Sequence, residues 1–246
     1  MANRTLDLKL LAALGFASVA APASAADWDW TVAPYLWASS IRSDVETSRP
    51  AIEGSSEMKF SDILDKLDGS LQVHLEGRGD KVGVFADFTY LGISDSRTGD
   101  FARTEADLDT RLLETALVWT PGGERDRGLD VFGGIRFIDA DIKVAIDPVN
   151  TELTGRVLDV GDSYLDAMLG ARYTWAPAER WRITARGDLS TGQTEGSWNA
   201  SLMAHYKTAH GAVLFGYRHL DVELEASGVR TDLAMSGPVV GYGFSF

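Results

Sequence analysis

The chain has 246 residues with 23 basic and 36 acidic side chains, a net charge of −13, and no cysteine. The missing thiols exclude disulfide staples, thiolate metal sites and cysteine nucleophiles. The acidic excess argues against a nucleic-acid partner, because such a surface repels phosphate.

Residues 1–25 read as a signal peptide. Arg4 and Lys9 form a basic start, Leu10 to Val19 is a short apolar run, and Ala23-Ser24-Ala25 is an A-x-A cleavage site. A single exported domain over residues 26–246 is therefore expected. Beyond the leader the sequence holds no apolar run of the length a spanning helix needs, about 20 residues. If the mature chain enters a bilayer it must do so as a closed barrel, since lipid cannot satisfy an open strand edge.

The mature chain alternates with period two over segments of barrel-strand length, about nine to eleven residues. The first is Trp28 to Ile41, with Trp28, Trp30 and Val32 on one face. The second sets Leu71, Val73 and Leu75 against Gln72, His74, Glu76 and Arg78, and Gly79 to Lys81 turns the chain into the third, Val84 to Tyr90. The fourth runs through Leu113 to Trp119 and stops at Pro121-Gly122-Gly123; the fifth starts at Asp130 and runs to Phe137. The sixth alternates Leu165 to Trp175 with Asp166, Met168, Gly170 and Arg172, and the seventh alternates Trp181 to Leu189 with Arg182, Arg186 and Asp188. The eighth spans Trp198 to Tyr206, the ninth Val213 to Arg218, and the tenth Pro238 to Phe246. Ten is even, which puts both ends of the barrel domain on one side of the membrane; pairing of Ile52 to Phe60 would change the count.

Short connections (Gly79 to Lys81, Pro121 to Gly128, Ala176 to Arg180, Lys207 to Gly211) alternate with long ones (Arg42 to Ser70, Asp139 to Ser163). That is the asymmetry of periplasmic turns and external loops. Trp28, Trp30, Trp119, Trp175, Trp181, Tyr206, Phe244 and Phe246 fall at the periplasmic ends, and Tyr90, Tyr164 and Trp198 near the external ends, as two aromatic girdles. The acidic excess falls in the external segments, 42–70, 95–109, 139–163, 190–196 and 221–232, while strands and short turns balance. Those carboxylates keep the loops solvated, or with divalent cations dock onto lipopolysaccharide phosphates.

The face opposite the apolar one carries Glu76, Asp87, Glu114, Arg136, Asp166, Arg172, Arg182, Arg186, Asp188 and Arg218. Charges of both signs at alternate strand positions can only point inward, where pairing offsets their desolvation. They predict either a salt-bridged, mostly filled lumen or a narrow polar path. His74 and His205 fit lumen hydrogen bonding better than metal ligation, and no metal or cofactor site is expected. In the first external segment Phe60 to Asp68 suits a short amphipathic helix capped by Ser61, with Ile63, Leu64 and Leu67 on one face, folded into the barrel mouth.

Enzymatic readings are weak. Asp107-Leu108-Asp109, Asp139-Ala140-Asp141 and His219-Leu220-Asp221 have the residue types of an outer-rim hydrolase of omptin type, which needs these groups to face each other across the mouth. A lipid-modifying esterase needs a Ser and His pair at the lipid face; Ser94 and Ser163 are at loop edges, without a supporting motif. An adhesin or receptor acting through the acidic loops is the further alternative.

The last strand ends on Tyr242, Phe244 and Phe246, and so resembles the closing strand of bacterial outer-membrane barrels. That resemblance implies an assembly signal read by the barrel assembly machinery. Ala33-Pro34-Tyr35-Leu36-Trp37, Phe60-Ser61-Asp62-Ile63-Leu64-Asp65, Gly216 to Val222 and Gly237-Pro238 together resemble a group of small proteobacterial outer-membrane β-barrel proteins. The resemblance implies a cell outer-membrane location among lipid and lipopolysaccharide, and carries no substrate or catalytic residue.

Overall fold

The computed structural model describes residues 28–48, 51–98, 102–148, 156–226 and 229–246. The expected signal peptide lies outside them. The described chain is almost entirely antiparallel strand: β1 (Asp29–Trp37), β2 (Ser40–Ser48), β3 (Ala51–Met58), the helix α1 (Phe60–Leu64), β4 (Leu67–Arg78), β5 (Val82–Thr98), β6 (Ala102–Trp119), β7 (Gly128–Pro148), β8 (Arg156–Ala178), β9 (Trp181–Gly192), β10 (Gly196–Lys207), β11 (Gly211–Ala226) and β12 (Val229–Ser245). No helix among the described residues is long and apolar enough to cross a membrane.

β1 pairs β4 on one side and β12 on the other, so β1 and β4 to β12 close a ring of ten strands. The seam is made by the two ends of the domain: Trp30 and Phe246 exchange backbone hydrogen bonds of 3.0 Å in both directions. β2 and β3 are a hairpin outside the ring count. β2 continues the β1 track along β12, from Trp37↔Val239 to Ser40↔Ser236, with pairing interrupted at Ala38 and Ser39 opposite Pro238 and Gly237. Proline brings no N–H to that ladder, and a Cβ on Gly237 would stand 2.1 Å from the Ala38 carbonyl oxygen. β3 does pair, but only with β2, so the ring stays at ten.

Pro34 explains a second irregularity. The β1–β4 ladder ends at Pro34↔Val73, after which the Trp37 amide donates instead to the Gln72 side chain. β4 then has no partner in β2, whose other edge is covered by β3, and the segment that joins β3 to β4 turns α1 into this part of the mouth. Ile63 is buried against the inward-facing Leu91 and Ile93, with Ile41, Met58, Leu67 and Leu108 around it. The helix is shorter than the segment expected for it. Lys59 occupies its N-cap position without a side-chain cap, so Ser61 is not the cap, and Leu64 is exposed.

Strand parity sorts every residue to wall or lumen. Leu71, Leu117, Ile135, Leu169, Leu189, Leu202, Phe215 and Val240 are exposed on the outer face, an apolar band around the barrel. At the turn end Trp30, Trp119, Trp175, Trp181, Tyr206 and Phe244 share this outward parity, and Trp28 stacks on Trp30 at 6.0 Å. Trp181 meets the Tyr206 ring edge-on at 5.1 Å. At the other end Tyr90 and Trp198 face outward. Tyr164 does not: it shares the parity of Asp166 and Met168 and packs on the interior cluster of Ile138 and Leu220. The long external segments are also less irregular than expected. β2, β3 and the far ends of β5 to β8 are strand, because paired strands satisfy their own backbone beyond the apolar band.

Candidate functional site: the charged lumen

The centre of the lumen is a neutral network of Glu114, Asp87 and Asp188 with Arg136, Arg186 and Arg218. Arg136 comes from β7, in register with Glu114 of β6 and Asp166 of β8. Arg136 and Glu114 are 0 % exposed, so each charge depends wholly on its partners. Arg136 Nη2 lies 2.6 Å from Glu114 Oε1 and 2.5 Å from Asp188 Oδ1, and Nη1 donates to Ser197 Oγ at 2.6 Å. Arg186 bridges the same two carboxylates at 2.7 and 3.0 Å. Its guanidinium lies over the rings of Phe85 and Phe132, at 5.1 and 5.0 Å, which fills the lumen around it with apolar surface.

Arg218 reaches Glu114 at 3.2 Å and Asp87 at 3.3 Å, lies over the Trp37 ring at 4.8 Å, and donates to Asn199 Oδ1 at 3.0 Å. Asn199 in turn donates to Asp188 at 2.8 Å. Asp87 also accepts from Tyr35 Oη at 2.7 Å and contacts His74 Nδ1 at 3.0 Å. Tyr35 has room because Gly241 faces it across the seam; a Cβ there would meet the Tyr35 Cβ at 2.6 Å.

A second layer lies toward the turns. Arg172 pairs Glu76 and Asp130, and Arg78 adds a 2.6 Å contact to Asp130. Asp130 further accepts from Thr120 at 2.6 Å. Nearest the opening, Asp126 holds Arg182 at 2.6 Å and Lys207 at 2.8 Å. The hydrogen bond from Lys207, joined by that from Arg182, pulls the Asp126 carboxyl down to about 2.

Of the ten lumen charges read from the sequence, Asp166 stands apart. It takes no arginine; it accepts from the amides of Gln193 and Thr194, at 2.9 and 3.0 Å, and from Ser190 Oγ at 3.1 Å, and so braces the β9–β10 turn. The sequence also places Tyr35 and Trp37 inward, in the space left by Gly237, Gly241 and Gly243, and Asn199 on the inward face of its strand, as the structure has them; it does not single out Asp130 or the serines at 190 and 197 as members of these layers. Asp130 shares the parity of Arg136 and is findable on that ground; Asn199 joins the network through its cross-strand partner Asp188 and through Arg218 on the next strand, whereas Tyr35 reaches Asp87 two strands away.

The lumen is not uniform along its axis. A cavity of about 630 Å³ opens at the turn end, between Arg125, Asp126, Lys207 and Phe246, and stops at Tyr35, Asp87, Arg186 and Arg218. His205 lines it. On the external side of the charged layer lie Trp37, Leu112, Ile138, Leu220, Val222 and Met235, and above them the Ile63 cluster. Among the described residues no group of three potential ligands is placed to hold a metal ion.

The acidic triplets expected near the rim do not converge. Asp107, Asp109, Asp139 and Asp141 carry the outward parity of β6 and β7, with Asp109↔Asp141 in register, while His219 and Asp221 face outward on β11, half a ring away. Groups pointing out of opposite walls cannot share a water, so the omptin arrangement is not formed by these residues. β11 and β12 create instead a pairing that the sequence did not reveal: His219↔Ser236, with His219 Nδ1 and Ser236 Oγ 2.5 Å apart on the outer face.

No family model matches the chain, and no curated protein matches it in sequence. Three solved structures can be compared with it. Ail, the attachment invasion locus protein of Yersinia pestis, is 11% identical with a TM-score of 0.40, over 89% of this chain and 99% of that one. The translocator domain of the autotransporter NalP from Neisseria meningitidis is 12% identical with a TM-score of 0.37, over 88% of each chain. The outer membrane protease OmpT from Escherichia coli is 9% identical with a TM-score of 0.35, over 89% of this chain and 97% of that one. What the protein does has to be argued from its own residues.

Proposed function

We propose that the protein is an integral outer-membrane barrel of structural type, sealed toward the exterior and carrying a water-filled vestibule toward the periplasm. The outward apolar band with aromatic residues at both of its edges, and the exported leader read from the sequence, support the membrane placement. The observation that carries the sealed lumen is the complete burial of Arg136 and Glu114 beneath an apolar lid. The ion pairs of their layer are short and mutually neutralising, with Ser197 bracing Arg136, Asn199 bracing Arg218 and Tyr35 bracing Asp87, so an ion in transit would have to break several at once. Barrels of about this size have an interior that side chains just fill. The vestibule holds water and presents arginine, histidine and carboxylate to the periplasm without a path onward.

Planar-bilayer recording tests this reading. Wild-type protein reconstituted at single-molecule density is expected to give no steady conductance at any salt concentration, whereas Arg136→Ala and Glu114→Ala combined with Ile63→Ala, which together disrupt the charged layer and the apolar lid, open measurable ion flow. Stable channels from the wild type would overturn it. Lipid and lipopolysaccharide are the surroundings this placement implies, and the barrel assembly machinery is the partner implied for the terminal strand with Tyr242, Phe244 and Phe246.

A further inference from the structure

The outer face of β11 and β12 holds a polar constellation that the lumen does not use. His219 and Ser236 are cross-strand partners, and Ser236 lies in register with Ser40 of β2. One layer toward the membrane are Tyr217, Leu202 and Pro238; one layer away from it are Trp198, Asp221, Ala234 and Arg42. The pair therefore sits at the external boundary of the apolar band. The Trp198 ring packs on the imidazole, with centroids 4.4 Å apart and the planes tilted by 39°. Nδ1 is 2.5 Å from Ser236 Oγ, while Nε2 is buried without a hydrogen-bond partner, and Asp221 Oδ2 stands 4.0 Å from it. An unpaired buried ring nitrogen is a cost that a purely structural hydrogen bond does not require.

We propose that Ser236 and His219 form an acyl-ester hydrolase site facing the outer leaflet, with Asp221 as the positioning residue. With the proton on Nε2, Nδ1 is free to accept, and Asp221 is the nearest anion to receive Nε2–H as imidazolium forms; such contacts close only in the reacting complex. Ser236 Oγ gives its proton to Nδ1 and bonds to the ester carbonyl carbon. The carbon–oxygen bond to the alcohol breaks, and the proton returns to the leaving alcohol. Water, deprotonated by the same nitrogen, then releases the acid and regenerates Ser236, so that ester and water yield acid and alcohol. Arg42 is the diagonal neighbour of Ser236, within reach of a long side chain, and its bond to Asp44 is largely exposed, so it is free to meet the oxyanion.

The substrate class follows from the surroundings. Trp198 and Asp221 also line a cleft of about 630 Å³ walled by Leu169 and Leu189, with Glu195 and Glu223 at its polar end. Apolar walls suit an acyl chain, and the carboxylates disfavour an anionic headgroup. A neutral or zwitterionic acyl ester fits both.

The test uses the full mature protein, refolded in detergent micelles and checked by heat-modifiable migration. p-Nitrophenyl dodecanoate serves as the neutral ester, and a fluorophosphonate probe followed by peptide mass analysis reports the nucleophile. Wild type is expected to hydrolyse the ester and to carry the adduct on Ser236. Ser236→Ala and His219→Gln should each lose at least 100-fold in kcat/KM while remaining folded, and Asp221→Asn should shift the pH profile of kcat. Ser94→Ala and Ser163→Ala should match the wild type. Folded wild type no faster than protein-free micelles, or an adduct on another residue, would overturn the proposal. A conducting lumen would overturn the sealed-barrel reading alone, since this site lies on the other side of the wall.

Discussion

The two halves of the lumen solve the same packing problem with opposite chemistry. On the side of the short turns, Glu76, Asp130, Arg78 and Arg172 are held in pairs around an open cavity, where access to solvent lowers the cost of keeping them ionised. On the external side, Leu112, Ile138, Leu220, Met235 and Ile63 exclude water altogether. Between them the Arg136 layer is buried yet charged, and it is affordable because carboxylates and guanidinia balance and their remaining donors reach Asn199, Ser197 and Tyr35. Under the sealed-lumen proposal the barrel is shut by two different devices in series. Removing either one alone should leave the other in place.

The largest effect should come from the seam that both halves share. Deleting Phe246 removes both hydrogen bonds to Trp30, and outer-membrane yield measured by heat-modifiable gel is expected to fall further than for any lumen substitution. Normal yield would break the view that the terminal strand closes the ring. Next, Arg136→Ala leaves Glu114 and Asp188 short of a buried counter-charge and should cost about 3–5 kcal/mol in a urea titration in micelles.

On the external side, Ile63→Ala removes the anchor of α1. A core isoleucine truncated to alanine costs about 2–5 kcal/mol, and the low end is expected where the neighbouring Met58 and Leu67 can collapse into the space. Conductance should stay absent, because the charged layer is intact. Channels appearing in Ile63→Ala would mean that the apolar lid alone does the sealing.

The smallest effect belongs to the vestibule entrance. Asp126→Asn loses the Lys207 and Arg182 contacts, an exposed cluster worth about 0.2–1 kcal/mol. Its carboxyl is depressed to about 2, from about 3.9 in an unfolded chain. The contribution is thus complete above pH ~4 and drains away as the pH falls through about 2. The stability difference between wild type and Asp126→Asn should follow that window, and a difference that grew at low pH would have the wrong sign.

Much of this barrel was legible in the sequence because a strand in a two-sided environment must alternate. The parity of Arg172, Arg186, Asp188 and Arg218 fixed their side of the wall, and the short turns marked one end of the ring. Tyr164 escaped because a single aromatic near a strand end reads equally well as girdle or interior. The β2–β3 hairpin is hard to read because its sequence carries little alternation, so pairing of Ile52 to Phe60 stays open until the structure shows β3 on β2.

The partnerships themselves were not legible. Residues 219 and 236, or 136 and 188, meet through register between strands and through closure of the ring, and a one-residue slip in β11 would have turned His219 inward and Arg218 toward lipid. The sequence by itself determined that the chain builds alternating strands, where the turns fall and which charges avoid the apolar face, because a period of two is a local property. Only the tertiary structure decided that the β2–β3 hairpin stays outside the ring of ten, that Ile63 of α1 seats against Leu91 and Ile93, and that His219 and Ser236 meet on the outer wall. Those depend on register, on Pro34 and Pro238 withholding their N–H groups, and on a seam between residues more than two hundred positions apart, which no local pattern encodes.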